Sequence, residues 1–224
     1  MVSKNVIAID GPAASGKSTV AQKVADKLNG FHISTGNMYR AITLFLIQNK
    51  LDLDSQVPPE KIDSLLGKLD LSFFKTADGK LSMTINGTTA DSAIRSPEVA
   101  KYVSKIAAMG NVRSWLTDRQ RRLSKLGLII MEGRDIGTVI FPDAKYKFFI
   151  TASPEVRARR RLAQSGETPE GSTVASVAKE IAGRDEMDSK RKIAPLKKAD
   201  DAILIDSSEM TVDEVVNRIA SFIK

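Results

Sequence analysis

The chain has 224 residues, 42% of them hydrophobic, which is enough to bury a substantial core and excludes a disordered, tail-like protein. Lys and Arg total 34 against 27 Asp and Glu, and the net charge of +7 favours an anionic ligand while being too small to identify nucleic acid as the partner. With no Cys and one His, disulfides, a thiolate-bound zinc, a thiol nucleophile and a His-rich metal site are excluded. The opening MVSKNVIAID has an apolar run that stops at Asp10, too short for a secretion signal, and no stretch approaches the ~20 apolar residues that span a bilayer. The expectation is a soluble, cytoplasmic protein.

In chain order, Val6 to Ile9 is an uninterrupted apolar run, which predicts a strand buried on both faces before a sharp turn at Gly11-Pro12. Val20, Val24 and Leu28 recur every fourth residue beside Ala21 and Ala25, predicting a helix with one apolar stripe. Phe31 to Ser34 reads as a second strand, with His32 in a structural role. Pro58-Pro59 opens a short helical stretch. Residues 69–75 and 80–86 then alternate polar and apolar around Asp78-Gly79, with Asn86-Gly87 following, which is the pattern of a hairpin and not of a crossover. Either a small antiparallel insertion or a decorated surface loop satisfies that stretch. Further strands are predicted at Leu128–Met131, Tyr146–Thr151 and Ala202–Asp206, with helical patterns between them and at Val212–Ile223. Strands alternating with helices predict an α/β fold with a parallel sheet.

Between the first strand and helix stand Gly11, Pro12, Ala13, Ala14, Ser15, Gly16, Lys17, Ser18 and Thr19, containing G-x-x-x-x-G-K-S. Glycines let successive N–H groups turn inward around a phosphate, and the positive end of the helix points into the same space. Lys17 is expected to reach the β/γ-phosphates of ATP, and Ser18 to offer its hydroxyl to Mg²⁺. The chain is short for a motor, so a small-molecule kinase fits.

A kinase that phosphorylates another phosphate must hold two polyanions end to end, which demands cations beyond the loop Lys. Arg40, Arg113 and Arg134 supply them, Arg134 just past a central strand, where open α/β sheets bind their ligands. Arg157, Arg159, Arg160 and Arg161, with Arg184 and Arg191 further on, flank the polar tip Ser165–Gly171. They read either as a solvated surface or as a lid that closes on phosphates. A phosphate acceptor needs no strong base; a hydroxyl acceptor would call on a carboxylate, and Asp10 and Asp135 keep that option open.

These segments resemble the bacterial cytidylate kinases over nearly the whole chain: GPAASGKST, STGNMYRA, the insertion ending IRSPEVA, NVR, EGRDIGTVIFPDA, ASPEVRARRR, and GRDEMDSKRKIAPLKKADDAILIDSS. The resemblance implies a three-layer P-loop kinase core (1–57, 96–152 and 193–224), an inserted NMP-binding subdomain (58–95) and a helical lid (153–192). It implies that Arg40, Arg134 and Arg191 hold the acceptor phosphate, that Asp188 and Arg184 contact the sugar, and that Ser104, Arg113 and Asp135 read cytosine, whose edge offers a donor beside two acceptors. Thr35 and Tyr39 join the CMP site, Arg157 and Arg161 the ATP site, and Lys17, Arg134, Arg160 and Arg191 are the expected catalytic set.

Three positions depart from the family pattern. Glu132 stands where Asp often precedes Gly-Arg-Asp, Thr35 where Ser is common, and Met187 where another Arg occurs, so Met187 is credited with no phosphate contact. Arg95 and Arg119 are read as organising the insertion and left out of the site. The expected activity is transfer of the γ-phosphoryl group of ATP to CMP or dCMP by a monomer, without nucleic acid or membrane. A kinase for UMP, AMP or a hydroxyl metabolite, and a P-loop nucleic-acid-binding regulator, remain the alternatives.

Overall fold

All four residues of the run Val6–Ile9 are buried, at the centre of a parallel sheet, in a computed structural model that describes residues 3–89, 92–164 and 168–223. The elements run β1 (Ser3–Asp10), α1 (Lys17–Leu28), β2 (Phe31–Ser34), α2 (Thr35–Gln48), α3 (Pro59–Leu66), β3 (Leu71–Lys75), β4 (Leu81–Ile85) and β5 (Thr88–Thr89). They continue as α4 (Pro97–Ala107), α5 (Gly110–Arg122), β6 (Ile129–Gly133), β7 (Ala144–Thr151), α6 (Pro154–Leu162), α7 (Val174–Lys190), β8 (Ile203–Asp206) and α8 (Val212–Phe222). The main sheet has the order β2-β6-β1-β7-β8 with every neighbouring pair parallel.

Side chains alternate across β1, and the two faces bury against different helices. Val6 and Ala8 join a cluster with α2, α3, α4 and α5, whereas Ile7 and Ile9 join one with Val20 and Val24 of α1 and Val215 and Ile219 of α8. Three layers result. After β1 the chain moves to one edge, at β2; after β6 it moves past β1 to the other, at β7 and β8. Such diverging connections leave a crevice beyond the carboxyl ends of the central strands.

Strand β6 runs two residues beyond the apolar stretch that predicts it. Glu132 pairs in register with Ser34 on one side and Ile9 on the other, so the ladder carries a carboxylate to the sheet end where hydropathy alone stops the strand at Met131.

Of the two readings of 58–95, the antiparallel one is found: β3, β4 and β5 form a second sheet. The third strand follows from Asn86-Gly87, which take φ of 48° and 79°, the left-handed pair of a tight hairpin turn. Ala90 and Asp91 lie outside the described residues. The insertion shares its core with its host. Ile62, Leu66, Met83, Ile85 and Ile94 belong to the same buried cluster as Ile42, Val103 and Leu116. Asn111 of α5 adds hydrogen bonds to the Pro59 carbonyl and the Asp63 carboxylate, at 3.2 and 2.8 Å.

Helices α6 and α7 pack on one another, each started by a hydroxyl cap, Ser153 and Thr173 respectively. Of the polar tip between them, Ser165, Gly166 and Glu167 lie outside the described residues. Among the described residues no helix is long and apolar enough to cross a membrane.

Because Leu66 is 2% exposed within the shared cluster, Leu66→Ala is expected to cost about 2–5 kcal/mol. Urea unfolding followed by circular dichroism and by fluorescence of Trp115 should shift to a lower midpoint as one coincident transition. An early, separate transition would mean that the insertion folds apart from the core.

Candidate active site

The loop from Gly11 to Gly16 joins the end of β1 to α1, and its path depends on a close approach that only glycine allows. Gly11 has φ +151°, and a Cβ there would stand 2.0 Å from the Ile150 carbonyl oxygen of β7. Lys17, the first residue of α1, is buried and folds its ammonium back over the loop, donating to the Pro12 carbonyl at 2.6 Å and the Ser15 hydroxyl at 3.2 Å. Burial, and next the nearby Arg134, push that ammonium down to about 7. Ser18 donates to Glu132 at 2.8 Å, and Ser34 donates to the same carboxylate oxygen. Burial pushes the Glu132 carboxyl up, but Lys17, His32 and the two hydroxyls outweigh it and hold it below the usual carboxylate range.

Beside the loop lies a cavity of about 250 Å³ walled by cations from six parts of the chain: Lys17, Arg40, Arg95, Arg134, Arg161 and Arg184. That volume suits a chain of phosphates more than a single ion. The cations repel one another. Arg184 is pushed down to about 9 by burial and then by Arg134, Arg40 and Arg161, and the same two causes lower Arg40 and Arg161. All three guanidiniums stay charged at neutral pH, and a polyanion would relieve the part of the lowering that comes from neighbouring cations. The Arg184 Nε is buried without a hydrogen-bond partner.

A second cavity opens from the first through Gly36, Arg134 and Arg184, which line both. Its walls are Thr35, Tyr39, Val103, Ser104, Ala107, Arg113, Asp135, Asp188 and Arg191. Here the charges are paired. Asp135 accepts from Arg113 and lies 3.7 Å from Arg191; Asp188 accepts from Arg134 at 2.9 Å and from Arg191 at 3.4 Å. The Arg113 guanidinium stands 5.5 Å from the centre of the Tyr39 ring. Val103 and Ala107, on one face of α4, give a flat apolar wall beside the polar group Ser104, Arg113 and Asp135. A single planar polar ring suits that combination.

A third cavity continues from the loop on its other side. Thr19, Val20, Met210, Val212 and Val215 make it apolar, with Arg160, Gln164 and Ser207 at its mouth. The three spaces form one channel, in which the cationic cavity is the middle compartment.

Nine of the ten residues expected at the acceptor line the second cavity, and the tenth, Arg40, lines the middle one. Three other arginines stand differently from what the motifs suggest. Arg157 faces none of these cavities. It is 8% exposed and donates to the carbonyls of Ala152 and Ala13, at 3.1 Å each, and to Asp185. Arg160, expected in the catalytic set, instead donates to Ser15 and Ser207 at the apolar compartment, and its neighbour Arg161 is the one that lines the middle cavity. A helix turns 100° per residue, so adjacent arginines face different compartments. Arg95, read from the sequence as organising the insertion, lines the cationic cavity; its place at the end of the short turn Ala93–Arg95 has no motif to announce it. Arg119 stacks on Trp115 at 3.5 Å, away from the site, and Met187 is exposed.

The two carboxylates that kept a hydroxyl acceptor open are both engaged. Asp10 accepts the backbone N–H groups of Ile136 and Gly137 at 2.8 Å each, and burial pushes its carboxyl up to about 6. Asp135 is held by Arg113 and Arg191. His32 sits half-buried in β2 against Gln22, at 3.2 Å, and burial lowers its pKa.

The chain matches the family model described as "Cytidylate kinase" over residues 7–224. A "Cytidylate kinase" of Clostridium botulinum (strain Loch Maree / Type A3) is 47% identical over 218 residues, 97% of either chain. One of Desulforamulus reducens is 44% identical over 224 residues, 100% of this chain and 99% of the relative. The solved structure of an uncharacterized protein from Eubacterium ventriosum ATCC 27560 matches with TM-score 0.52 at 15% identity, over 98% of each chain, which is a likeness of fold alone.

The low Lys17 value has a testable sign. A triphosphate in the middle cavity favours the ammonium form, which is already present below pH 7 and must be regained by proton uptake above it. ATP affinity is therefore expected to weaken as pH rises from 7.5 to 9, by up to about tenfold per unit. Calorimetry in buffers of different ionisation enthalpy should register the proton taken up; a pH-independent affinity with no uptake would contradict the assignment.

Proposed function

The chain belongs to the cytidylate kinase family, and from that premise we propose that it transfers the γ-phosphoryl group of ATP to the phosphate of CMP or dCMP, giving ADP and CDP or dCDP. One observation carries the reading for this chain: a compartment suited to a planar polar ring and a compartment lined by the phosphate loop meet at Arg134 and Arg184. Two nucleotides entering from opposite ends bring their phosphates together between those arginines and Lys17.

In this reading an anionic oxygen of the acceptor phosphate attacks the γ-phosphorus. The new P–O bond forms as the bond from the γ-phosphorus to the bridging oxygen breaks, and ADP leaves. No proton has to be removed, which agrees with Asp10 and Asp135 both being committed elsewhere. Lys17, Arg134, Arg161 and Arg184 hold the charge that spreads over the transferring oxygens, and they are in place before substrate arrives. Arg191, expected on the acceptor phosphate and in the catalytic set, stands 3.7 Å from Asp135 and 3.4 Å from Asp188, and in this reading it steadies those two carboxylates, which face the base and the sugar. Ser104, Arg113 and Asp135 together supply a donor, acceptors and a fixed orientation for the cytosine edge.

Ser18 and Glu132, hydrogen-bonded side by side at the cavity wall, are an all-oxygen pair that would suit a Mg²⁺. Mg²⁺, when bound there, neutralises β- and γ-phosphate oxygens. We read 58–95 and 153–192 as the acceptor-side insertion and the lid of a core made by the remainder.

Lys17→Ala and Arg134→Ala are each expected to lower kcat/KM by at least about a hundredfold while leaving the circular dichroism spectrum unchanged. ADP formation assayed against CMP, dCMP, UMP and AMP should be fastest with the cytosine nucleotides. Wild-type rates in either variant, or a preference for AMP, would contradict the proposal.

A further inference from the structure

One buried ion pair outside the three compartments has no part in gripping phosphates. Arg157 near the start of α6 and Asp185 on α7 have side chains 10% and 16% exposed. Between them they hold both ends of the Ala13 residue of the phosphate loop. The Ala13 N–H donates to Asp185 Oδ1 at 2.8 Å, and the Ala13 carbonyl accepts from Arg157 Nη1 at 3.1 Å. Arg157 also donates to the Ala152 carbonyl at the end of β7, at 3.1 Å. The Ala13 methyl is buried with Ala158, Val177 and Ile181, so a residue of the loop forms part of the core between α6 and α7.

Asp185 has telling neighbours on its helix. Arg184 lines both the cationic and the acceptor compartments, and Asp188, one turn on, is bonded to Arg134 and Arg191. A single stretch of α7 thus touches the acceptor side through Arg184 and Asp188 and the donor loop through Asp185.

We propose that the Arg157–Asp185 pair is a positioning device that keys the phosphate loop to α7, so that acceptor binding on α7 strengthens donor binding in the loop. The physical basis is that an acceptor gripping Arg184 and Asp188 restricts α7. Asp185 and Arg157 pass the restriction to the Ala13 peptide, and the loop amides that follow have less freedom left to lose when triphosphate binds. Coupling of this kind is reciprocal: donor binding must strengthen acceptor binding by the same factor. The inference rests on the reading that donor and acceptor meet in this channel.

The test is a binding cycle on the full chain. Calorimetry gives the Kd of β,γ-imido-ATP with and without saturating CMP, and of CMP with and without the analogue, for wild type, Asp185→Ala and Asp185→Asn. The wild type is expected to show mutual tightening of at least about fivefold. In Asp185→Ala this factor should fall to near one while CMP alone binds within about twofold of wild type. Asp185→Asn keeps an oxygen for the Ala13 N–H but loses the charge for Arg157, and it should fall between; it also carries the test if the alanine variant does not fold. Coupling unchanged in either folded variant, or absent from a wild type that binds both ligands, overturns the proposal. A wild type that binds no CMP overturns instead the reading of the channel, and this inference with it.

Discussion

Mutual repulsion among six cations gathered at one end of a parallel sheet is the constraint that organises this molecule. Lys17, Arg40, Arg95, Arg134, Arg161 and Arg184 come from distant parts of the chain and line one cavity. Holding them there costs free energy, first through burial and then through like-charged neighbours, which push the ammonium of Lys17 down to about 7 and the guanidinium of Arg184 to about 9. Buried carboxylates offset part of that cost. Glu132, and after it Asp10 and Asp185, answer Lys17, and Asp188 answers Arg134 and Arg184. Of these carboxylates Glu132 alone lines the middle compartment, which therefore keeps a net positive charge.

The sheet makes this gathering possible. Parallel strands all end at the same side, so Asp10, Ser34, Gly133 and Thr151 bring four different connections to one edge. The connections are then tied by backbone and buried polar contacts: Asp10 to the amides of Ile136 and Gly137, the Thr35 hydroxyl to the Glu132 carbonyl at 2.9 Å, and Gly11 against Ile150. Apolar burial on both faces of β1 supplies the stability on which these ties depend. These ties fix the arrangement of the site within the fold, as electrostatic catalysis requires.

Much of this was legible in the residues. Continuous apolar runs gave the buried strands because a strand covered on both faces has no polar side to betray its period. Asp78-Gly79 gave the hairpin because turn geometry constrains residue type directly. The phosphate loop was legible for the same reason, and the acceptor residues through their likeness to a family. Harder to read was anything that depends on direction around a helix. Arg157, Arg160 and Arg161 are near neighbours in sequence, but one faces the contact between α6 and α7, one the apolar compartment and one the cationic cavity. Arg95 was missed because it reaches the site from the insertion, across a tertiary contact that no local pattern encodes. The extension of β6 to Glu132 was missed because a strand-end carboxylate looks like a loop residue until Ser34 is set beside it.

The most direct measurement is a crystal structure of the chain with CMP and β,γ-imido-ATP bound together. The account predicts cytosine against Val103 and Ala107 with its edge toward Ser104, Arg113 and Asp135, the acceptor phosphate between Arg134 and Arg184, and the γ-phosphate beside Lys17 and in line with it. A CMP phosphate turned away from Arg134 and Arg184, or a triphosphate that leaves Lys17 bonded only to Pro12 and Ser15, would contradict it.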